Sequence, residues 1–259
     1  MIPVKRTLFA AAIMAAAIAA LTQPGRAESC NRATFENSDS IVCDAGADGT
    51  GLHLFWKNAD GEPYRNFSNL ADTAASQGKT LVFALNAGMY QPDFSPMGLH
   101  IEDGRELRPA SKAAPARGSG PVPNFYKKPN GIFYLSDKGA GILPTDGFMK
   151  QGGMKPRLAT QSGPMLVIGN KVNPIFIVGS TDRTRRSGVG ICKGGVIRFA
   201  VSEDAVNFHD FARLFRDHLH CPNALFLDGG GGAGIYVPAL QRNDISWHGG
   251  YGPMFGFVE

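Results

Sequence analysis

One carboxylate in this chain stands directly before a run of four glycines. Residues 224–227 form a short apolar run that is typical of a buried strand, and Asp228 follows it, with glycines at positions 229–232. Because glycine loses extra backbone entropy in a strand, we expect the strand to end at Asp228. A charge beside backbone N–H groups that no side chain shields predicts a ligand site. The alternative is structural: the glycines form a tight hairpin, and Asp228 caps its turn.

Known nucleotide-binding loops do not account for this glycine run. The phosphate loop of nucleotide hydrolases requires Gly-Lys-Ser/Thr at the start of a helix, whereas here the chain continues into the apolar stretch Ile235–Val237 and then Pro238. The dinucleotide-binding fingerprint also requires a helix after the glycines, and Ile235–Val237 is typical of a strand. The sequence therefore predicts neither kind of nucleotide site.

Polar residues also stand at the ends of other strand-like runs. The run 80–85 leads into Asn86 and a glycine turn, and ligand sites on sheets tend to gather at such strand ends. Thr160, Gln161 and Ser162 precede another apolar run. Their side chains can exchange hydrogen bonds with the hydroxyl groups of a sugar, or they can be turn residues.

A histidine and a glutamate alternate in the run 99–102. The period of a strand puts His100 and Glu102 on one face, where they are candidates for substrate binding and proton transfer. The alternative is an ordinary half-exposed hairpin, closed by the Asp-Gly turn that follows.

Three arginines precede a glycine-rich segment. Arg183, Arg185 and Arg186 stand before residues 187–190, and a guanidinium beside glycine turns suits bidentate recognition of phosphate. The alternative is three solvated surface charges.

Five of these segments together resemble the ordered motifs of the phosphodiester glycosidase family, and in particular a bacterial exported branch of it. The segments are residues 86–90, 96–98, 161–167, 186–190 and 227–231. The resemblance extends from about residue 80 to the end of the chain. It implies removal of a sugar from a sugar-1-phosphodiester, which exposes a phosphomonoester.

The resemblance also implies which residues line the pocket. Asn86, Arg186, Asp228 and the glycines after it line it, and residues 160–162 lie nearby. Family members commonly have a serine after the third glycine, where this chain has Gly232. The glycines that the resemblance places in the pocket are Gly229, Gly230 and Gly231.

The leaving group decides how many acidic groups this reaction needs. Ordinary glycosidases use two carboxylates, one of which protonates the leaving oxygen. A phosphomonoester has a second pKa near ~6, so it departs as a dianion with little help and one carboxylate suffices. We expect Asp228 to stabilise the oxocarbenium-like centre or to activate water, Arg186 and loop N–H groups to hold phosphate, and Asn86 to orient sugar or water. No cofactor is assigned, although calcium or magnesium stays open.

Two other classes of function remain open. A metal-dependent phosphodiesterase would cut the P–O bond, with Asp228 and either Asp182 or Asp93 as oxygen ligands. A non-catalytic protein that binds envelope polysaccharide would use the same cleft without a competent carboxylate.

The N-terminus predicts export. Residues 1–27 carry Lys5 and Arg6, then an apolar run, then small residues up to Ala27, which is the pattern of a cleaved signal peptide. The apolar run is shorter than the ~20 residues of a membrane-spanning helix. The chain's formal charge of +4 includes three cations in this segment, so +1 remains after cleavage. We expect a periplasmic or secreted monomer that binds a small sugar phosphate or glycan, without a nucleic acid partner or membrane span.

Four cysteines remain after cleavage, and an oxidising compartment favours disulfides. Of the three possible connectivities, Cys30–Cys43 with Cys192–Cys221 keeps both loops short and is preferred. A weaker alternative is a zinc site at Cys221, with His218 or His220 as further ligands.

The elements that must position these residues are mostly short strands. They are rich in β-branched and aromatic residues and are bounded by Gly, Pro, Asn or Asp. These strands are predicted at residues 51–56, 80–85, 132–135, 165–168, 175–178, 189–192 and 196–201.

Two helices are predicted. Ser68 caps a helix over residues 69–77, and Ser202 caps a longer helix with Glu203 and Asp204 in its first turn. The apolar residues of the longer helix recur at helical spacing at Val206, Phe211, Leu214, Phe215 and Leu219.

These elements predict a single α+β domain over residues 28–259, with a mixed β-sheet and few helices. Residues 111–129 are dense in Pro, Gly, Ala and Lys without periodicity, which predicts a long loop that is either a lid or a flexible connection.

Overall fold

Short strands make up most of the molecule. The structure is a computed structural model that describes residues 30–115, 118 and 120–259, so the predicted signal peptide lies outside the described residues. The strands are β1 Asn31–Phe35, β2 Ser38–Asp44, β3 Leu52–Phe55, β4 Leu81–Asn86, β5 His100–Glu102, β6 Arg105–Arg108, β7 Gly131–Ser136, β8 Gly139–Pro144, β9 Leu158–Ser162, β10 Met165–Ile168, β11 Lys171–Val172, β12 Arg186–Ile191, β13 Ile197–Ser202, β14 Asn223–Gly229, β15 Ile235–Val237, β16 Arg242–Asn243 and β17 Met254–Val258. The helices are α1 Phe67–Ser76, α2 Thr145–Lys150 and α3 Phe208–Arg213.

The strands form three sheets. A seven-stranded sheet has the order β1-β2-β13-β12-β14-β10-β11, and two five-stranded sheets have the orders β16-β15-β4-β17-β3 and β6-β5-β9-β7-β8. The predicted single α+β domain with few helices is confirmed. The expected mixed pairing is wrong, because every pair of neighbouring strands in these three sheets is antiparallel. Antiparallel strands need only short connections, and the chain supplies few crossover helices.

Three phenylalanines join the three sheets in one core. Phe133 of β7, Phe199 of β13 and Phe255 of β17 are fully buried, one from each sheet. Their ring centroids lie 4.9 Å apart for Phe199 and Phe255, 5.5 Å for Phe133 and Phe255, and 6.3 Å for Phe133 and Phe199. Tilted and edge-on rings at these separations attract one another in addition to burying apolar area. The sheets therefore pack as one unit.

Most of the predicted strands are present, and one is wrong. The segments 51–56, 80–85, 132–135, 165–168, 189–192 and 196–201 fall within strands whose ends differ by a few residues. The segment 175–178 forms turns instead, and Ile177 and Val178 are 73% and 75% exposed. The Asn173 amide explains the turn: it donates to the Met165 carbonyl and accepts from the Ile175 N–H. The chain therefore reverses where the composition alone favoured a strand.

Both predicted helices begin at another residue. The cap of α1 is Asn66, whose Oδ1 accepts from the Asn69 N–H at 2.8 Å, rather than Ser68. Ser202 ends strand β13, so it does not cap the second helix. Asn207 caps that helix by accepting from the Asp210 N–H, and a π-helical turn, Leu214–His218, continues it. The apolar spacing predicted the existence of both helices correctly, but their N-caps are asparagines rather than the predicted serines.

The two disulfides have the predicted pairing. Cys30 bonds to Cys43, and Cys192 bonds to Cys221. Because both partners of the second bond are consumed, Cys221 is not a zinc ligand and that alternative is wrong. The disulfides fit an extracytoplasmic compartment. Within the part of the chain that the structure describes, no helix has both the length and the hydropathy to cross a membrane.

The two candidate caps of α1 can be separated by mutation. We expect Asn66→Ala to lower the free energy of unfolding by about 1 kcal/mol, because the Asn69 N–H loses its partner. Ser68→Ala should change it by only a few tenths, because the Ser68 hydroxyl makes an exposed bond to Asn243. Urea denaturation of both variants measures the difference. Equal effects would contradict the assignment of Asn66 as the cap.

Candidate active site

Asp228 lies at an irregular point of the β12–β14 pairing. Asp228 is opposite Ser187, and the register shifts between Ser187 and Gly188. The Ser187 hydroxyl accepts from the Asp228 N–H and donates to the Asp228 carbonyl, each at 3.1 Å. This double contact holds the Asp228 backbone in place where the regular hydrogen-bond ladder is interrupted. Such β-bulges are common next to functional sites, where they redirect a side chain.

The glycines link two sheets. Strand β14 runs one residue beyond the predicted end, to Gly229, and a 3-10 turn, Gly230–Gly232, follows. Strand β14 belongs to the seven-stranded sheet and β15 to a five-stranded sheet, so the alternative of a tight hairpin is wrong. Gly230 has φ +58, a left-handed conformation that favours glycine.

Among the residues that the structure describes, the Asp228 carboxylate has a single hydrogen-bond donor and forms no ion pair. Oδ1 accepts from the Gly229 N–H at 2.8 Å. A Cβ at position 232 would overlap Oδ2, so the carboxylate occupies space that Gly232 leaves free. Burial raises the pKa of Asp228 to about 7, and the Gly229 bond offsets only part of this effect. Near neutral pH, Asp228 therefore exchanges a proton readily.

Strand ends from the other two sheets approach this carboxylate. Asn86 ends β4 and is fully buried; its Oδ1 accepts from the Gly234 N–H at 3.1 Å, and its Nδ2 has no partner among the described residues. Ser162 ends β9 and donates to the Leu227 carbonyl at 2.8 Å. One residue from each sheet thus meets at the same place, and the unpaired Asn86 amide is a donor that a ligand could use.

The polar residues of β9 are bonded within the protein. Thr160 donates to the Ala87 carbonyl at 2.6 Å. Gln161 accepts from the N–H groups of Leu99 and Ser111 and donates to the Ser111 carbonyl at 2.7 Å. These side chains lie in a strand rather than a turn, and their contacts indicate that they position the site and the start of the 111–129 segment. That they also exchange hydrogen bonds with sugar hydroxyls stays a prediction.

The three arginines have separate environments. Arg183 is exposed, whereas Arg185 pairs with Asp244 at 2.6 Å. Arg186 is 1% exposed, with its guanidinium carbon 3.7 Å from the centroid of the Phe208 ring. The alternative of three solvated charges is therefore wrong for Arg186.

Two of the three guanidinium nitrogens of Arg186 are bonded within the protein. Nε donates to the Val206 carbonyl at 2.8 Å, and Nη2 donates to the Asp182 carbonyl at 3.2 Å. Nη1 donates to no described residue. Burial lowers the pKa of Arg186 to about 10, and the Asp182 charge opposes that effect, so the group stays cationic at neutral pH. Arg186 lies in β12 opposite Gly229, close to Asp228 along the backbone.

His100 and Glu102 form a pair away from Asp228. His100 Nε2 and Glu102 Oε1 are 2.7 Å apart, which confirms that they share a face. The His100 ring packs edge-on against Trp56 at 6.4 Å between centroids, and His100 Nδ1 is buried without a partner among the described residues. No contact among the described residues links the pair to Asp228.

Three residues near Asp228 were not candidates from the sequence. The Tyr90 hydroxyl donates to the Gly250 carbonyl at 2.8 Å. Burial raises the pKa of Tyr90, a hydrogen bond with Ser246 lowers it, and the Asp228 charge raises it. The His248 ring lies 3.0 Å from where a Cβ of Gly231 would be. Ser246 and His248 belong to a non-periodic segment, so only the fold brings them to the glycine turn.

Comparison with known proteins identifies the family of this chain. The family described as phosphodiester glycosidase matches residues 79–253, more than half of the chain. The chain belongs to the phosphodiester glycosidase family. Uncharacterized protein YigE of Escherichia coli (strain K12) is 34% identical over 178 residues, which is 69% of this chain and 66%, just under two thirds, of that protein.

Solved structures share the fold at low sequence identity. The zebrafish N-acetylglucosamine-1-phosphodiester alpha-N-acetylglucosaminidase catalytic domain, auto-inhibited by its pro-peptide, has a TM-score of 0.60 at 14% identity, covering 88% of this chain and 81% of that chain. A hypothetical protein from Synechocystis has a TM-score of 0.50 at 14% identity, covering 88% and 61%. These likenesses show the fold.

The raised pKa of Asp228 has a consequence for stability. A carboxyl with a native pKa near 7 and an ordinary value of about 3.9 destabilises the folded state increasingly as the pH rises from about 4 to 7. We expect Asp228→Asn to be more stable than the wild type at pH 8 and equally stable at pH 4, as measured by urea denaturation. Asp60→Asn, at an exposed carboxylate, is the control. A difference that does not change with pH would contradict the buried ionisation.

A side chain at position 232 should change the pKa of Asp228, because the carboxylate occupies the space beside Gly232. Gly232→Ser should displace the Asp228 carboxylate toward solvent and so lower its pKa from about 7. NMR titration of the Asp228 carboxyl carbon measures this change. Gly152→Ser is the control, because a Cβ there meets nothing within 4 Å. An unchanged Asp228 pKa in Gly232→Ser would show that the side chain is accommodated elsewhere.

Proposed function

We propose that this protein is an exported hydrolase that cleaves the glycosidic bond of a sugar-1-phosphodiester and releases the sugar and a phosphomonoester. Membership of the phosphodiester glycosidase family supports the reaction class. The single observation that carries the proposal is the half-buried Asp228 and its carboxyl of raised pKa, which stands beside glycine N–H groups at the meeting point of three sheets.

Asp228 acts in its ionised form. The bond between the anomeric carbon and the phosphate oxygen breaks, the oxygen keeps the electron pair, and the phosphomonoester leaves as a dianion. Asp228 either stabilises the positive charge that develops on the sugar or takes a proton from the attacking water. A native pKa of about 7 makes this carboxylate a stronger base than an exposed aspartate at neutral pH.

Other groups orient the substrate and stabilise its charge. Asn86 has an unpaired amide donor that serves a sugar hydroxyl or the attacking water. Arg186 contributes a fixed positive charge on the phosphate side and its Nη1, which donates to no described residue, and the N–H groups of Gly231 and Gly232 are further donors. The Gly230 N–H already donates to the Arg185 carbonyl. Donors held before the substrate arrives need little reorganisation during the reaction. His100 and Glu102 are reserve candidates for proton transfer in this scheme.

The N-terminal segment and the disulfides support a location outside the cytoplasm. We place the protein in the periplasm or outside the cell, because residues 1–27 have the pattern of a signal peptide and both disulfides suit an oxidising compartment. The mature domain over residues 28–259 would act as a monomer on a small sugar phosphate or an envelope glycan, without a cofactor.

Hydrolysis in water labelled with heavy oxygen tests the reaction class. A panel of sugar-1-phosphodiesters is incubated with the protein and the products are analysed by mass spectrometry. We expect the label on the released sugar. Label on the phosphate would replace the proposal with a phosphodiesterase. Binding without any product across the panel would replace it with a polysaccharide-binding protein.

The pH dependence of turnover tests the role of Asp228. Because the ionised form acts, kcat/KM should rise with pH and level off above an apparent pKa near 7. Asp228→Asn should lower kcat at least about 100-fold, whereas the control Asp60→Asn keeps wild-type activity. An activity that instead falls above pH 7 would make Asp228 a general acid.

A further inference from the structure

A cavity of about 470 Å³ lies beside Arg186. The part of the 111–129 segment that the structure describes forms one wall, with Val122 and Lys127, and the turn at residues 175–177 forms another. Phe208 lies between the walls and stacks on Phe176, with ring centroids 4.9 Å apart. The volume is sufficient for a phosphate group with part of an attached chain.

The inner part of this cavity is cationic. Lys127 and Lys128 line it, and the Lys127 Nζ lies 5.3 Å from the centroid of the Phe208 ring. The Arg186 guanidinium lies on the same ring at 3.7 Å. Asp182 is the acidic residue of the lining, and it is already engaged with Arg186 at 3.8 Å. The two lysines of the lining outnumber its one carboxylate, which Arg186 already pairs, and this balance favours an anion here.

The outer rim of the cavity is apolar and exposed. Val122, Ile175 and Ile177 are 46%, 44% and 73% exposed. Exposed β-branched residues grouped at the mouth of a cationic cavity are unusual on a protein surface and mark a contact site. A simple inorganic anion would use the cations and leave the rim uncovered. A ligand that joins a phosphate to an apolar chain would use both.

We infer that this cavity binds the phosphate of an amphiphilic phosphodiester, with the phosphate against Lys127 and Lys128 and the apolar chain along Val122, Ile175 and Ile177. The substrate class would then be a sugar joined through phosphate to a lipid-like alcohol. Hydrolysis of that substrate rests on the proposed function, whereas its binding does not. Arg186 packs on the Phe208 ring of this cavity and pairs through its backbone with Gly229, the residue that follows Asp228.

Calorimetric titration of the Asp228→Asn protein tests this binding without turnover. The probes are dodecyl phosphate below its micelle concentration, inorganic phosphate and the neutral dodecyl maltoside. We expect dodecyl phosphate to bind at least ten times more tightly than inorganic phosphate, and dodecyl maltoside to show no saturable binding. Equal affinity for both phosphates would overturn the role of the rim. Equal affinity for the neutral detergent would overturn the role of the cations.

Surface variants locate the binding. Ile177→Ser should weaken dodecyl phosphate at least five-fold and leave inorganic phosphate unchanged, and Lys127→Gln should weaken both. Ile245→Ser is the matched control, because Ile245 is 80% exposed and lies outside the cavity lining. Unchanged affinity in both cavity variants, or an equal loss in Ile245→Ser, would overturn the assignment.

Two further results separate this inference from its competitors. Sedimentation with phosphatidylcholine and phosphatidylglycerol vesicles, without saturable binding of dodecyl phosphate, would show a membrane-docking surface instead and overturn the inference. Wild-type hydrolysis of a water-soluble sugar phosphodiester, together with equal affinities for dodecyl phosphate and inorganic phosphate, would overturn it while leaving the proposed function intact. Tight dodecyl phosphate binding by a protein that hydrolyses no sugar phosphodiester of the panel would support the cavity and reject the proposed function.

Discussion

The close pairing of β12 with β14 is the constraint on which the rest of the site depends. Phe215 packs over two glycines of β12: a Cβ at Gly188 would lie 3.1 Å from its ring, and a Cβ at Gly190 would lie 2.8 Å from it. Larger residues there would force the aromatic ring away from the sheet. Because the strands stay together, Arg186 faces Gly229 and Ser187 faces Asp228. One strand pair therefore sets the positions of both charges.

The chemistry of Asp228 follows from where the three sheets meet. Ser162 and Thr160 bond to backbone carbonyls beside Asp228 and Asn86, and these bonds tie the strand ends together without using a charge. The carboxylate is thus surrounded by neutral groups, which is why burial rather than a charged neighbour controls its pKa. Gly232 contributes space, since the carboxylate lies where a side chain would be.

Several polar residues that resemble a site in sequence make hydrogen bonds within the protein. Gln161 makes bonds to the backbone of Leu99 and Ser111 and so orders the start of the 111–129 segment. His100 and Glu102 bind each other. Arg186 has both an architectural role and a role in the proposed site. Two of its guanidinium nitrogens are bonded within the protein, whereas Nη1 donates to no described residue. Burying a cation is costly, and the aromatic face of Phe208 offsets part of that cost.

The sequence by itself determined the properties that depend on short segments. Local apolar runs and cysteine separation predicted most of the strands, the disulfide pairing, and the place of Asp228 and its glycines at the end of a buried strand. The helix starts were wrong, because Asn66 and Asn207 cap the helices at positions where nearby serines were also suitable caps by residue type. Only the tertiary structure decided the antiparallel pairing, the meeting of Asn86, Ser162 and Asp228, and the approach of His248 to the turn. Those outcomes join residues far apart in the chain, and their energies depend on burial and packing that no local pattern contains.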